Sequence, residues 1–475
     1  MTTSANRTFW IFLVALLLIS RIAHLNILWA DEDYHLALAV EFLQGKMLYR
    51  DIWYDKPPLN ALLMLLIGGW PGWPLRLASV AMELGGAAIA FKFASRLWGA
   101  REGYIAAAAF AFFHIFYFAA TVIPMEPDTI MVLPHLLAVY WAWSKRPILA
   151  GLAAGAAFLL NTKGLFVLAV CLLFYPAGWP MIAVGFAIPC TAMGAWLASQ
   201  GAFTGYIDQV WRWGMLYAAN PQEQPFSAPL VRLGSWLAFH SALLLGAGFA
   251  LRRIENRELR WKLIGWIAIS LFAATIGWRL PPRYLNQLFP PLVILASLGL
   301  AGLLSRRTWW TLILFAAIAI PIGRFGPRYT SLLAEDWRGQ SHDWRDATMD
   351  RESRDGAEIV NRLAKPGDTV FIWGYRPNVV VYTRLPIVGQ MWESQPVTMI
   401  PADRHLSVEV PLDTEWAARN LQRLLLTTPT FVVDGLTSYN LELDIHKYPG
   451  LAEWIARYCK VGSAGRGMTV YRLCQ

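Results

Sequence analysis

Residues 31–59 read DEDYHLALAVEFLQGKMLYRDIWYDKPPL, and they follow the apolar run FWIFLVALLLISRIAHLNILW of residues 9–29 after a single alanine. That run has about 21 residues, enough at 1.5 Å rise to cross a roughly 30 Å hydrocarbon core. It has no short apolar centre followed by a small-residue cleavage site, so it reads as a retained first span and not a signal peptide. A chain that has just crossed a membrane therefore presents three consecutive acids, Asp31, Glu32 and Asp33, and closes the segment with Lys56 and two prolines.

The whole composition agrees with that reading. The 475-residue chain is 56% hydrophobic and only 15% charged, and its mean hydropathy of +0.39 places it among polytopic membrane proteins. The net charge of +9 does not point to nucleic acid. Its Lys and Arg residues fall in short clusters between apolar runs, and no basic-aromatic module accompanies them.

Further candidate spans are 75–98, 103–122, 127–143, 148–162, 164–178, 181–199, 230–251, 263–280, 284–304 and 308–323. The expectation is a polytopic α-helical membrane protein with roughly 11 transmembrane helices. With a cytoplasmic N-terminus, Arg101, Lys145 with Arg146, the run RRIENRELRWK and Arg306 with Arg307 all fall inside, as the positive-inside rule requires. Residues 57–70 are apolar but too short to cross comfortably, so they are expected to lie as an interfacial or re-entrant helix in an outer loop, 30–73. The stretch 148–162 stops at NTKG, where a lysine and a glycine interrupt an otherwise long apolar run. Two half-length helices meeting at a polar break can turn backbone and charge toward a cavity.

From 324 to 475 the composition changes. TVFIWGY, TFVVDGL and TVYRLC have the look of strands and EWAARNLQRLLL that of a helix. The expectation is a C-terminal extracytoplasmic α/β domain over 324–475 following a transmembrane domain over 1–323. The chain would sit in the cytoplasmic (inner) membrane. Cys171 and Cys190 fall in spans as packing residues, whereas Cys459 and Cys474 flank an expected hairpin and are candidates for a disulfide whose geometry the sequence leaves open. No CxxC, HExxH, Walker A loop or dinucleotide fingerprint occurs.

Ionisable residues next to spans then carry the information. Asp31 is expected near the N-cap of a short helix over 34–43 that ends at Gly45 as a left-handed cap. Carboxylates favour helix N-termini, which accounts for one acid more easily than for three. IPMEPDT puts Glu126 and Asp128 in a second outer turn. Lys56, Lys163 and Arg283 are expected at the same face; Lys56 and Arg283 could each be a snorkelling anchor, but Lys163 is flanked by apolar sequence and needs a partner. Acids and cations together suit a reaction with an anionic leaving group, a base deprotonating an acceptor hydroxyl while fixed cations stabilise a departing phosphate. No His/Cys metal cluster is present, and His24, His35, His114 and His135 look scattered. The carboxylates would also suit Mg²⁺ or Mn²⁺, a dependence left open.

In their order, DEDY, GKMLYRDIWYDKPPL, the acidic turn, NTKG with TKGLFVL, RYLNQLFPPLVILASLGL and the terminal α/β region resemble the GT-C class of membrane glycosyltransferases, closest to bacterial relatives of protein O-mannosyltransferases and of the aminoarabinose transferase that modifies lipid A. The resemblance implies that Asp31 is the base activating the acceptor, with Glu32 beside it. It implies that Lys56 and Lys163 meet the phosphate of a polyprenyl-phosphate sugar donor, with Arg283 a weaker match and Tyr284 adjacent to it. It does not choose between Glu126 and Asp128 as the second acid. Transfer with inversion to a lipid, polysaccharide or protein acceptor is what it suggests. The alternatives are a lipid-linked oligosaccharide ligase using a diphosphate donor and a non-enzymatic transporter; the latter would place paired charges near the midplane in internal repeats, which are not seen.

Overall fold

The computed structural model describes residues 3–116, 125–219, 227–277, 280–305, 309–338, 345–401, 410–465 and 467–474. Its chain forms two compact units. One is Met1–Asn26, Trp73–Met193 and Gln224–Gln340; the other is Ile27–Gly72, Gly194–Glu223 and Ser341–Gln475. The helix Trp309–Arg338 runs through the boundary expected between 323 and 324.

In chain order the first helices are α1 (Thr3–Ile22), α2 (Glu32–Leu43), α3 (Leu59–Leu65), α4 (Trp73–Leu97), α5 (Ala100–Ile115), α6 (Pro127–Ile130), α7 (Val132–Trp143), α8 (Pro147–Leu160) and α9 (Gly164–Phe174). Among the described residues five helices are long and apolar enough to cross a membrane, and a sixth span arises if Ser227–Phe239 and Ser241–Leu251, bent by 74° at their junction, count as one. The five are Ala5–Ile22, Trp73–Leu97, Pro176–Ser199, Pro282–Leu304 and Trp309–Ala334.

This is fewer than the roughly 11 apolar runs, because several runs are divided. The run 127–143 becomes α6 and α7, and α8 and α9 are each shorter than a membrane-crossing helix. The run 263–280 belongs to a helix that starts earlier, in the charged sequence RELRWK, at Arg257–Thr275. Residues 117–122 of the run 103–122 lie outside the described residues.

In the first unit, helices pack backbone to backbone. A Cβ on Gly299 would overlap the carbonyl of Gly246, so the helices carrying these two residues touch where neither has a side chain. Close approach through small residues is how helices associate in lipid, where apolar burial gives no drive.

In the second unit a four-stranded sheet has the order β1-β2-β4-β3: β1 (Val370–Trp373), β2 (Phe431–Asp434), β3 (Tyr458–Ala464) and β4 (Met468–Leu473). β1 and β2 are parallel and wholly buried, while β4 runs antiparallel to both β2 and β3. The three strand-like segments of the sequence contain β1, β2 and most of β4, and EWAARNLQRLLL forms all but the first residue of the helix Thr414–Leu425, ending on its C-cap Leu426. Cys459 and Cys474 are bridged, with Cα atoms 5.3 Å apart.

The segment 30–73 belongs to this same unit. Residues 384–393 hold it: Ile387 N–H donates to the buried Glu41 carboxylate, Trp53 N–H donates to Gln390 O at 3.0 Å, and Trp392 Nε1 donates to Trp53 O at 3.1 Å. Arg384 stacks over Trp70 at 4.0 Å. Residues 57–70 contain only the seven-residue α3, after which the chain turns through Gly68 and Gly69.

Candidate active site

The second unit carries the acids of DEDY. α2 ends as the sequence suggests: Gly45 sits at φ 89, Lys46 N–H bonds Glu41 O and Gly45 N–H bonds Phe42 O, a Schellman closure. Its start differs from expectation. Asp31 occupies the N-cap position, but its side chain caps nothing, and its backbone lies at φ 73, ψ −37. Asp33 N–H reaches back to Trp29 O at 3.1 Å and closes a turn around it. Such a conformation costs a non-glycine residue about 1–3 kcal/mol and persists only where the surroundings impose it. The consequence is a carboxylate that does not satisfy its own helix. Its Oδ1 instead lies 3.5 Å from the Tyr375 hydroxyl, which comes from the turn after β1.

Lys56 is half-buried and pairs with Asp55 at 2.8 Å. Burial pulls its ammonium down, but Asp55, by charge and hydrogen bond, and then Asp31 outweigh it and hold Lys56 above the ordinary lysine range. Glu32, in the first turn of α2, is fully buried. Below these charges lies a set of rings: Tyr34 stacks on Trp392 at 5.8 Å and meets Tyr375 at 5.4 Å and Tyr54 at 5.5 Å. Gln209 fixes the lysine-bearing segment by accepting from Tyr54 N at 2.8 Å and donating to Tyr49 O at 2.7 Å. His35, one turn along from Asp31, shares a 2.8 Å hydrogen bond with Tyr54. Burial drives its imidazole down to about 3, with Asp31 opposing and Lys56 assisting, so it is neutral near pH 7. The buried carboxylate of Glu393 acts on Tyr34 and Tyr375.

The first unit carries the other candidates. α8 stops at Leu160 and α9 begins at Gly164. Asn161 makes the break: its Oδ1 accepts from Lys163 N at 3.0 Å, an Asx turn, and its Nδ2 donates to Asp128 at 2.9 Å. Gly164 is obligatory, because a Cβ there would lie 2.3 Å from the backbone nitrogen of Phe158. Lys163 Nζ sits 2.8 Å from the centroid of the Tyr284 ring, and the charged groups acting on it are Asp128, Arg283 and Glu126. Glu126, fully buried at the N-cap of α6, accepts from Thr129 at 3.1 Å, from Asn286 at 3.4 Å and lies 3.9 Å from Arg283. The two acids are thus tied to different partners, Asp128 to the helix break and Glu126 to the 3₁₀ turn Pro282–Leu288.

The predicted residues therefore gather as Asp31, Glu32 and Lys56 in one unit and Glu126, Asp128, Lys163, Arg283 and Tyr284 in the other. Sequence reasoning overlooked Tyr375, Asp55, Asn161 and the site-facing role of His35. Only Asn161 and Asp55 left a signal, as neighbours of the lysines in NTKG and YDKPP. Among the described residues no group of three or more His, Cys, Asp or Glu is arranged to hold a metal ion.

With these features in place, the fold is that of the GT-C membrane glycosyltransferases. In particular, the chain is similar to ArnT from Cupriavidus metallidurans bound to undecaprenyl phosphate, at 16% identity and a TM-score of 0.65, covering 100% of this chain and 99% of that one. Its apo form matches at 15% identity and a TM-score of 0.62, covering 99% and 98%. A family model described as dolichyl-phosphate-mannose-protein mannosyltransferase matches residues 55–198, which include Lys56, Glu126, Asp128 and Lys163 but not Asp31. No curated protein matches the chain in sequence.

Proposed function

We propose that this chain is a membrane glycosyltransferase that moves a sugar from a polyprenyl-phosphate donor to an acceptor hydroxyl at the outer face of the cytoplasmic membrane. The observation that carries the reading is Asp31: a carboxylate at a strained backbone position, unused as a helix cap, with Lys56 acting on it. Backbone strain and charge at one residue favour a chemical role over a structural one.

In the proposed step Asp31 takes the proton of the acceptor hydroxyl as its oxygen bonds the anomeric carbon. The bond from that carbon to the phosphate oxygen breaks with its electron pair, releasing polyprenyl phosphate. Attack from the face opposite the leaving group inverts the anomeric centre. Lys56 would meet the departing phosphate. Lys163 and Arg283, taken within their own unit, are cations whose chemistry also suits a phosphate. Glu126 and Asp128 hold the scaffolding around Lys163, and we assign the second acid to Asp128 because it anchors the lysine-bearing turn through Asn161. The isoprenoid tail stays in the bilayer, which accounts for a membrane-embedded scaffold. The positive-inside pattern supports a cytoplasmic N-terminus, with 324–475 on the outer side. Support for the donor class comes from the likeness to ArnT bound to undecaprenyl phosphate.

The test uses the purified full chain in detergent with undecaprenyl phosphates carrying radiolabelled mannose, glucose or aminoarabinose, and an extract of envelope lipid, polysaccharide and protein as acceptor. Transfer of label from one of these donors, abolished in Asp31→Asn, is expected. Release of label from none of them, with undecaprenyl phosphate failing to bind, would overturn the reading.

A further inference from the structure

We propose that Tyr375 is a positioning residue for the Asp31 carboxylate, so that the C-terminal α/β region builds part of the acid site. This rests on the reading of Asp31 as the base. Four observations converge on it. The Tyr375 hydroxyl is 3.5 Å from Asp31 Oδ1, a long contact of the kind that shortens once a site is occupied. The Asp31 side chain makes no cap bond to its own helix.

The third observation is that the tyrosine is itself held from both sides. Gly374 before it has φ 115 and packs on Leu436, and its N–H donates to Ser394 Oγ at 2.9 Å. Arg376 after it is fully buried, donating to Met349 O at 2.7 Å and pairing with Glu352 at 3.3 Å. The fourth is that the ring packs against Tyr34, three residues after Asp31 in the first turn of α2, at 5.4 Å between centroids.

A hydroxyl pointed at a carboxylate stabilises the ionised form and limits its rotation. Among the described interactions, Asp31 acts on His35 of α2, which is neutral, and on Lys56 of the DKPP segment, while Asp33, Glu393 and Asp55 also act on the Tyr375 hydroxyl. Glu32 and Asp33 are its chain neighbours.

The experiment needs no identified sugar. Carbodiimide labels protonated carboxyls, so the full-length protein in detergent is reacted with a water-soluble carbodiimide and glycine methyl ester across pH 3–8, and modification of Asp31 is read by peptide mass spectrometry. In Tyr375→Phe the midpoint for Asp31 labelling is expected to rise by about half a unit or more, because a hydrogen bond to the charged form is lost. Tyr34→Phe removes a hydroxyl from the same ring cluster and keeps the packing; its midpoint should match wild type. Equal midpoints in wild type and Tyr375→Phe, or an equal rise in Tyr34→Phe, would overturn the proposal. Asp31→Asn in the transfer assay separates this from the base assignment. If Asp31→Asn is inactive and Tyr375→Phe has a wild-type midpoint, only the positioning role fails; if Asp31→Asn is fully active, the base reading fails whatever the labelling shows.

Discussion

The two charged clusters solve the problem of keeping ionisable groups in apolar surroundings in different ways. Around Asp31 and Lys56 the chain uses packing: rings of Tyr34, Tyr54, Tyr375 and Trp392 surround a segment in which an aspartate stays at positive φ with its carboxylate turned away from capping its own helix. Around Lys163 it uses a defect: a helix is broken, an Asx turn re-satisfies the freed backbone, and the ammonium rests on an aromatic face among carboxylates. Packing suits a group whose orientation must be fixed for proton transfer. A helix break suits a cation that receives a diffuse anion, since the break can be opened to a cavity without leaving orphan amides.

If the defect is what creates the lysine site, the largest effect of a single substitution belongs to Gly164. Gly164→Val would force side-chain carbon into the backbone of Ala157 and Phe158, and should destabilise the first unit by about 3 kcal/mol or more. Thermal unfolding in detergent should show this, with the loss confined to variants at the break; an unchanged melting temperature would mean that α8 and α9 are not locked as described.

The packed cluster should respond to pH instead. His35 has a folded value of about 3 against an ordinary 6.5, so below pH 6.5 the unfolded chain binds a proton that the folded one refuses. Stability then falls with acidification from pH 6.5 toward 3, reaching a loss of about 2 kcal/mol at pH 5. His35→Gln should flatten that part of the stability profile, measured by melting at pH 5 and pH 7. A profile as steep as wild type would place the acid sensitivity elsewhere.

The smallest effects sharpen the comparison most. Lys56→Met and Lys163→Met each keep an apolar stem and remove one charge, and each should weaken binding of undecaprenyl phosphate about tenfold, with melting little changed. Loss in Lys163→Met alone would assign the phosphate to the broken helix and leave Lys56 as a partner of Asp55 only. Wild-type binding by both would remove the phosphate role from both units.

What could be read from the sequence follows from how local each feature is. The NTKG break shows because polar residues interrupt an apolar run, and the strands of the C-terminal sheet show because they are short, apolar and bounded by turn residues. Asp31 stands out by its place after a span; that it is not a cap goes with its φ of 73 inside the turn closed from Asp33 N–H to Trp29 O, a conformation the residue types there do not announce. Tyr375 lies 344 residues away from its carboxylate partner and sits in the unremarkable stretch IWGYRPN, so its role is a product of tertiary structure alone. Hydropathy adds up apolar residues but does not register the short breaks that split 127–143 into α6 and α7.

The central claim is that Asp31 and not its neighbour is the base, and the measurement that tests it most directly is turnover of Asp31→Asn and Glu32→Gln side by side, with undecaprenyl phosphate binding and melting recorded for both. Asparagine keeps the size and removes the charge, and loss of a general base typically lowers turnover by about 10²- to 10⁴-fold. The account predicts a fall in that range for Asp31→Asn, with lipid binding and stability retained and a milder effect for Glu32→Gln. A folded, lipid-binding Asp31→Asn protein that transfers sugar at the wild-type rate would contradict it.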